Sequence, residues 1–229
     1  IICFLVLSYL FNQTVETQSD LFPLIEGKLV FHSFSDYEAW DSKLFIYDFA
    51  EQLLTEISQD WDIDHAMNAH FSPDGSRIVF MGVPKEHHDF YSWDIYIWNL
   101  LSDHPINLTA NNGLRDEDPK FSPNGNEIVF KQNGDLVVMN LINDTMINTT
   151  NNGFSIEQSM PYFKTDNQNI LYAQGAGISS DIYLINKDGT DNHPLENIIN
   201  IQEYYPVSWT NSIFLYTRWV SVSNHHDQI

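Results

Sequence analysis

Apolar residues along this chain fall in short runs separated by polar turns, without the 3.6-residue spacing of an amphipathic helix. One block of runs and turn repeats. Phe71-Ser72-Pro73-Asp74-Gly75 followed by Arg77-Ile78-Val79-Phe80 returns as Phe121-Ser122-Pro123-Asn124-Gly125 followed by Glu127-Ile128-Val129-Phe130. A weaker copy joins Phe163-Lys164-Thr165-Asp166-Asn167 to Asn169-Ile170-Leu171-Tyr172, and a degenerate one joins Trp209-Thr210-Asn211-Ser212 to Ile213-Phe214-Leu215-Tyr216. The period is roughly 40 to 50 residues. Each copy predicts strand, tight turn, strand: proline fixes φ at one turn position, and Asp-Gly or Asn-Gly supplies the positive φ that a tight hairpin requires.

A third strand follows in each unit, at Lys43 to Tyr47, Asp94 to Trp98, Asp135 to Met139 and Asp181 to Ile185. A fourth, more polar one ends in Leu54-Thr55, Asn107-Leu108-Thr109, Asn148-Thr149 or Pro194-Leu195. Four short strands per unit make one propeller blade. Gly27 to Ser58 has the later strands of a blade without the Ser-Pro-Asp-Gly turn, and the last unit reads as stopping after its second strand. The fold class read from these patterns is all-β: an incomplete β-propeller of four-stranded blades, about four plus a partial one, from a ring of about six to eight.

The repeated residues resemble the TolB-type propeller repeat, a relative of WD repeats with the pattern Pro-x-Phe-Ser-Pro-Asp-Gly, a hydrophobic strand, then Asp-Ile-Tyr. The resemblance covers about residues 27 to 229. It implies the fold and says little about activity, because this repeat serves many unrelated proteins.

Composition narrows the partners. Hydrophobic residues make up 43% of the chain and aromatics 14%, enough to build a folded core. Lys and Arg number 10 against 31 Asp and Glu, for a formal charge of -21. That balance argues against nucleic acid and acidic membranes, whose phosphates need clustered cations. The apolar run from Ile1 to Phe11 is short for a bilayer span and is followed by the polar stretch Asn12 to Asp20, like the hydrophobic core of a secretory signal peptide. We therefore divide the chain into a signal-like segment with spacer, 1–20, and a propeller, 21–229, with no transmembrane domain in the mature part and a periplasmic or extracellular address. The single cysteine, Cys3, lies in the first segment, so the propeller needs no disulfide.

Propeller geometry puts the start of every inner strand and the loops between second and third strands on one face. Inner-strand starts carry His65, then Arg115 with Asp116, Glu157 with Gln158, and Glu203 with Tyr204. The loops add Trp40, the group His87, His88 and Trp93, and, in the last unit, Arg218 with Trp219. Aromatic and polar side chains on loops of a rigid scaffold suit a ligand surface. The candidate ligand-binding set is Trp40, His65, His88, Trp93, Arg115, Glu157, Glu203 and Tyr204. Solvated-channel and inter-blade packing roles would use the same residue types.

Asp60-x-Asp62-x-Asp64 has calcium-loop spacing but lacks the following Gly and the distal Glu. His65 and His70, five apart on a strand, point to opposite faces and form no ready chelate. Calcium near Asp60, Asp62 and Asp64 is thus the one metal to consider, and no cofactor is expected.

The chain carries no Gly-x-Ser-x-Gly elbow, Walker loop, dinucleotide fingerprint or zincin helix. The leading expectation is a binding scaffold for a protein, peptide or glycan ligand on one propeller face. An alternative is a polysaccharide lyase acting on acidic sugars. There, Arg218 and His65 would neutralise a uronate carboxylate, and Tyr204 or His87 would accept the α-proton. A third reading is the propeller domain of a larger serine peptidase.

Overall fold

The computed structural model describes residues 26–229 apart from 37–38, 86, 88, 90–91, 177–178, 196–200, 222–225 and 229. The signal-like segment 1–20 and His88 lie outside the described residues. The elements are β-strands, with a single-turn helix at Gly153–Ser155.

Five antiparallel sheets follow one another in chain order, each with its strands hydrogen-bonded in sequence. The first blade comprises β1 (Lys28–Ser33), β2 (Lys43–Asp48) and β3 (Leu53–Glu56). The second has four strands, β4 (Ile63–Phe71), β5 (Arg77–Pro84), β6 (Asp94–Asn99) and β7 (Ile106–Asn107). The third repeats this with β8 (Asp116–Phe121), β9 (Glu127–Gln132), β10 (Asp135–Asn140) and β11 (Met146–Asn148). The fourth consists of β12 (Gln158–Phe163), β13 (Asn169–Ala176), β14 (Ser179–Asn186) and β15 (His193–Pro194). The fifth holds β16 (Glu203–Ser208), β17 (Phe214–Ser221) and β18 (His226–Gln228). β18 corrects the expectation that the last unit stops after two strands: His226-Asp227-Gln228 has no apolar residue to mark it, yet it pairs with β17, Gln228 opposite Arg218.

Each blade packs on the next, which is why the central strands read as unbroken apolar runs rather than alternating ones. Ile78 and Phe80 of β5 join Leu44 and Ile46 of the first blade. Their neighbours Val79 and Met81 join Ile128, Phe130 and Val137 of the third. Val129 and Val138 continue to Phe163, Ile170 and Tyr172 in the fourth, and Leu171, Ala173 and Ile182 meet Tyr204, Phe214 and Tyr216 in the fifth. The cores therefore lie between blades, not within them. On the other side of the fifth blade Val207, Trp209, Ile213 and Leu215 are exposed.

The turn signature uses its serine as well as its proline and glycine. The Ser72 hydroxyl accepts from the Arg77 amide at 2.9 Å, and that of Ser122 from the Glu127 amide at 3.0 Å. Gly75 and Gly125 take φ of 69° and 71°, the left-handed values the turn demands. The aspartates opening the third strands of the second and third blades are also architectural. Asp94 accepts from the Asn107 side chain at 2.6 Å and Asp135 from Asn148 at 2.9 Å, tying the outermost strand to its neighbour.

One repeated feature is marked in the sequence only by a proline that follows it in three of the four blades. The four inner strands β4, β8, β12 and β16 share a register slip, at Met67/His70, Glu117/Lys120, Ser159/Tyr162 and Tyr204/Val207, and β4 slips a second time between Ile63 and His65. At each slip sits a residue in the left-handed region: Asn68 (φ 54°), Asp118 (55°), Met160 (54°) and Tyr205 (52°). Ala69, Pro119, Pro161 and Pro206 come next, and a β-bulge tolerates proline because the extra residue makes no ladder bond.

These bulges align the blades. His65, Arg115, Glu157 and Gln202 each stand three residues before the left-handed position. Sequence alignment on the turn puts Glu203 in that place, one residue too late.

Candidate functional site

Strand pairing places Ile63 opposite Pro84, Asp116 opposite Gln132, Gln158 opposite Gln174 and Glu203 opposite Arg218. The start of each inner strand therefore lies beside the loop between second and third strands, the shared face expected from sequence. What fills that face differs from blade to blade.

Around the second blade it is closed by aromatic rings. His65, Trp40 and Trp93 pack as a triangle of rings, with His65 centroid distances of 5.5 Å to Trp40 and 5.0 Å to Trp93 and the two indoles 5.9 Å apart. The ring of His65 is 0% exposed and its Nδ1 accepts from the Ser42 amide at 2.9 Å. This corrects the placement of His65 at an open channel mouth: it is a packed interior residue, out of reach of a substrate carboxylate. Trp93 is 1% exposed and offers no open stacking face, and Trp40 is partly buried against the same core. The Arg115 guanidinium lies 5.8 Å above the Trp93 ring.

Ion pairs close the contact between the third and fourth blades. Arg115 Nη2 reaches Glu117 Oε1 at 2.7 Å, and Lys131 Nζ bridges Glu117 Oε2 at 3.0 Å to Glu157 Oε1. Burial works against the Glu117 charge, but the hydrogen bond from Arg115 and the field of Lys131 outweigh it and hold the carboxyl below its ordinary range. Burial likewise opposes the Lys131 ammonium, and Glu117 with Glu157 keeps it above its ordinary range.

Between the fourth and fifth blades the same place is open. A cleft of about 340 Å³ is lined by Ser159, Met160 and Tyr204 of the inner strands and by Glu157 and Gln202, which directly precede those strands. Ala173, Gly175 and Ser180 line it from β13 and β14. Register explains the space. Met67 pairs with Met81 in the second blade, and the equivalent pair in the fourth is Ser159 with Ala173. Val83 follows Gly82, which pairs with Asp94; Gly175 follows Gln174, which pairs with Asp181. Trp93 precedes Asp94 as Ser180 precedes Asp181. Met67, Met81, Val83 and Trp93 all belong to the core between blades two and three, so the cleft is the volume that four truncated side chains leave.

Of the sequence candidates, Glu157 and Tyr204 reach this cleft. Glu203 is 1% exposed and accepts from Arg218 Nη2 at 2.7 Å and Nε at 3.1 Å. Arg218 Nη2 also contacts the Tyr216 hydroxyl at 2.5 Å. The candidates for elimination chemistry are thus divided: His65 and the exposed His87 belong to the second blade, Tyr204 and Arg218 to the fifth, and the charge of Arg218 is matched by Glu203. Among the described residues no three His, Cys, Asp or Glu side chains gather as a metal-binding group, and this holds for Asp60, Asp62 and Asp64. Sequence reasoning missed Ser159, Ala173, Gly175, Ser180 and Gln202. The signal available was the small-residue stretch from Ala173 to Ser180.

No family model and no curated protein matches the chain. Solved structures do. A putative TolB from Agrobacterium tumefaciens matches at TM-score 0.60 and 14% identity, over 75% of this chain and 61% of that one. TolB from Acinetobacter baumannii matches at TM-score 0.60 and 14% identity, over 87% of this chain and 50% of that one. An oligogalacturonate lyase from Vibrio parahaemolyticus matches at TM-score 0.59 and 9% identity, over 88% and 61%. The chain spans 50 to 61% of the length of these three structures. Among the described residues no helix is long and apolar enough to cross a membrane. At such low identity the likeness is one of architecture, and the architecture this chain shares with them is the TolB-like β-propeller.

Proposed function

We propose that the chain is a binding scaffold of the periplasm or cell exterior, which holds a protein, peptide or glycan ligand at the propeller rim between the fourth and fifth blades. The observation that carries this reading is the cleft itself. It is the place where a packed inter-blade core gives way to a concave, mixed polar and apolar surface, the usual form of a ligand site. The TolB likeness and the signal-like start of the sequence support the address. The elimination alternative is less well supported, because it needs a cation beside the uronate carboxylate and Arg218 is engaged by Glu203.

The test is binding without turnover. The chain is equilibrated with peptide and glycan panels, and captured ligands are released and weighed by mass spectrometry. Unaltered ligand, with capture lost when Ser159→Met fills the cleft, is the expected result. Unsaturated or hydrolysed products formed by the wild-type chain would overturn it.

A further inference from the structure

The charges around the cleft point to the class of ligand. Glu157 is paired with Lys131, which is shared with Glu117, and Glu117 also holds Arg115. Arg218 is paired with Glu203. Among the described residues lining the cleft there is no lysine or arginine to receive a uronate or phosphate, and a lysine side chain would have to compete with Lys131 for Glu157. The formal charge of -21 further repels polyanions.

What remains on offer is neutral recognition. Glu157 presents carboxylate acceptors, Gln202 an amide that both donates and accepts, and Ser159 a hydroxyl that does the same. A sugar is the ligand whose own hydroxyls match this inventory, since each can donate to a carboxylate while accepting from an amide or hydroxyl. Met160 and the part of the Tyr204 ring left uncovered by the core between blades four and five supply an apolar side for the C–H face of a pyranose. The volume of about 340 Å³ sits at the low end of small-molecule sites.

We propose that this cleft takes an uncharged sugar residue of a glycan, seated on Tyr204 with its hydroxyls on Glu157, Gln202 and Ser159. The assignment rests on the reading of the chain as a binding scaffold, and narrows it.

The experiment is isothermal titration of the full chain with neutral gluco-, galacto- and manno-oligosaccharides, with oligogalacturonate, and with a lysine-rich peptide, each at low and high salt. The expected result is binding to a neutral series that changes less than about threefold with salt, since no ion pair forms on binding. Ser159→Met and Tyr204→Ala should each weaken it by about tenfold or more. Ser159→Met adds bulk without deleting a core contact, so it keeps the test valid if Tyr204→Ala unfolds; circular dichroism checks both.

Preference for oligogalacturonate or for the peptide, no affinity for any neutral series, or neutral-sugar binding indifferent to Ser159→Met would each overturn the sugar assignment. If the peptide binds and Ser159→Met removes it, the scaffold reading survives while the sugar assignment falls. If no ligand in either class depends on Ser159, both fall.

Discussion

Ser180 stands in the fourth blade where Trp93 stands in the second: each directly precedes the aspartate of its third strand, and each lies against the inner-strand start of the next blade. One side chain seals an inter-blade core and the other leaves it open. The difference between a structural contact and a candidate site in this protein is one of side-chain volume at matched positions.

Rebuilding the second-blade pair in the fourth should therefore close the cleft without harm to the fold. The double variant Ser159→Met, Ala173→Met is expected to keep or raise stability, by up to about 1 kcal/mol, because it fills space with a pairing the architecture already accommodates. The opposite change, Trp93→Ser, should cost about 3 to 5 kcal/mol by opening a cavity in a closed core. Urea midpoints of the two variants measure both values.

Lys131 is expected to matter far more than Glu157. Replacing the lysine with Met leaves the buried Glu117 to Arg115 alone and should cost about 2 to 3 kcal/mol at neutral pH. The Glu157 side chain is 47% exposed, so Glu157→Gln should change stability by less than about 0.5 kcal/mol. Equal losses in urea denaturation would contradict this.

Acid should weaken the fold through two histidines. Burial, aided by the Lys120 ammonium, lowers His70 from 6.5 to about 3, and burial is the main cause lowering His32 to about 4. Above 6.5 both are neutral in either state, and their contribution is complete. Between that value and the depressed ones the unfolded chain binds protons that the folded chain refuses, so stability falls with pH by about 1.4 kcal/mol per unit for each histidine. His70→Asn retains an acceptor for the Phe121 amide, now met at 3.1 Å by His70 Nδ1, and should flatten that slope. Unfolding midpoints taken across the acid range give the comparison.

Gly189 joins the third and fourth blades at closer range than any other side chain would permit. It has φ of 88°, and a Cβ there would lie 2.6 Å from the Thr149 carbonyl oxygen. Gly189→Ala should destabilise the protein by about 2 kcal/mol, from left-handed strain and the backbone collision together. A melting temperature unchanged from wild type would contradict that contact.

Strands and turns were legible because their chemistry is local: Pro73-Asp74-Gly75 and Pro123-Asn124-Gly125 announce hairpins, and apolar runs announce strands packed on both sides. The bulges were only partly so: Pro119, Pro161 and Pro206 follow three of them, but the left-handed residues Asn68, Asp118, Met160 and Tyr205 have no side-chain type in common. Without the bulge the fifth blade aligns one residue late, with Glu203 in the place of Gln202. The site was hidden for a different reason. Residue type drew the eye to His65 and Trp93, both of which are buried, whereas the cleft comes from what Ser159, Ala173, Gly175 and Ser180 lack. Small side chains carry no motif until blades are compared in register.

The common kink in the inner strands makes that register transferable. Because the left-handed residue resets the strand at the same depth in four blades, matched positions stay matched whatever occupies them. The gaps between blades are then modular: exchanging a handful of side chains between two blades would seal one gap and open another at a new angle around the disk, leaving the backbone untouched.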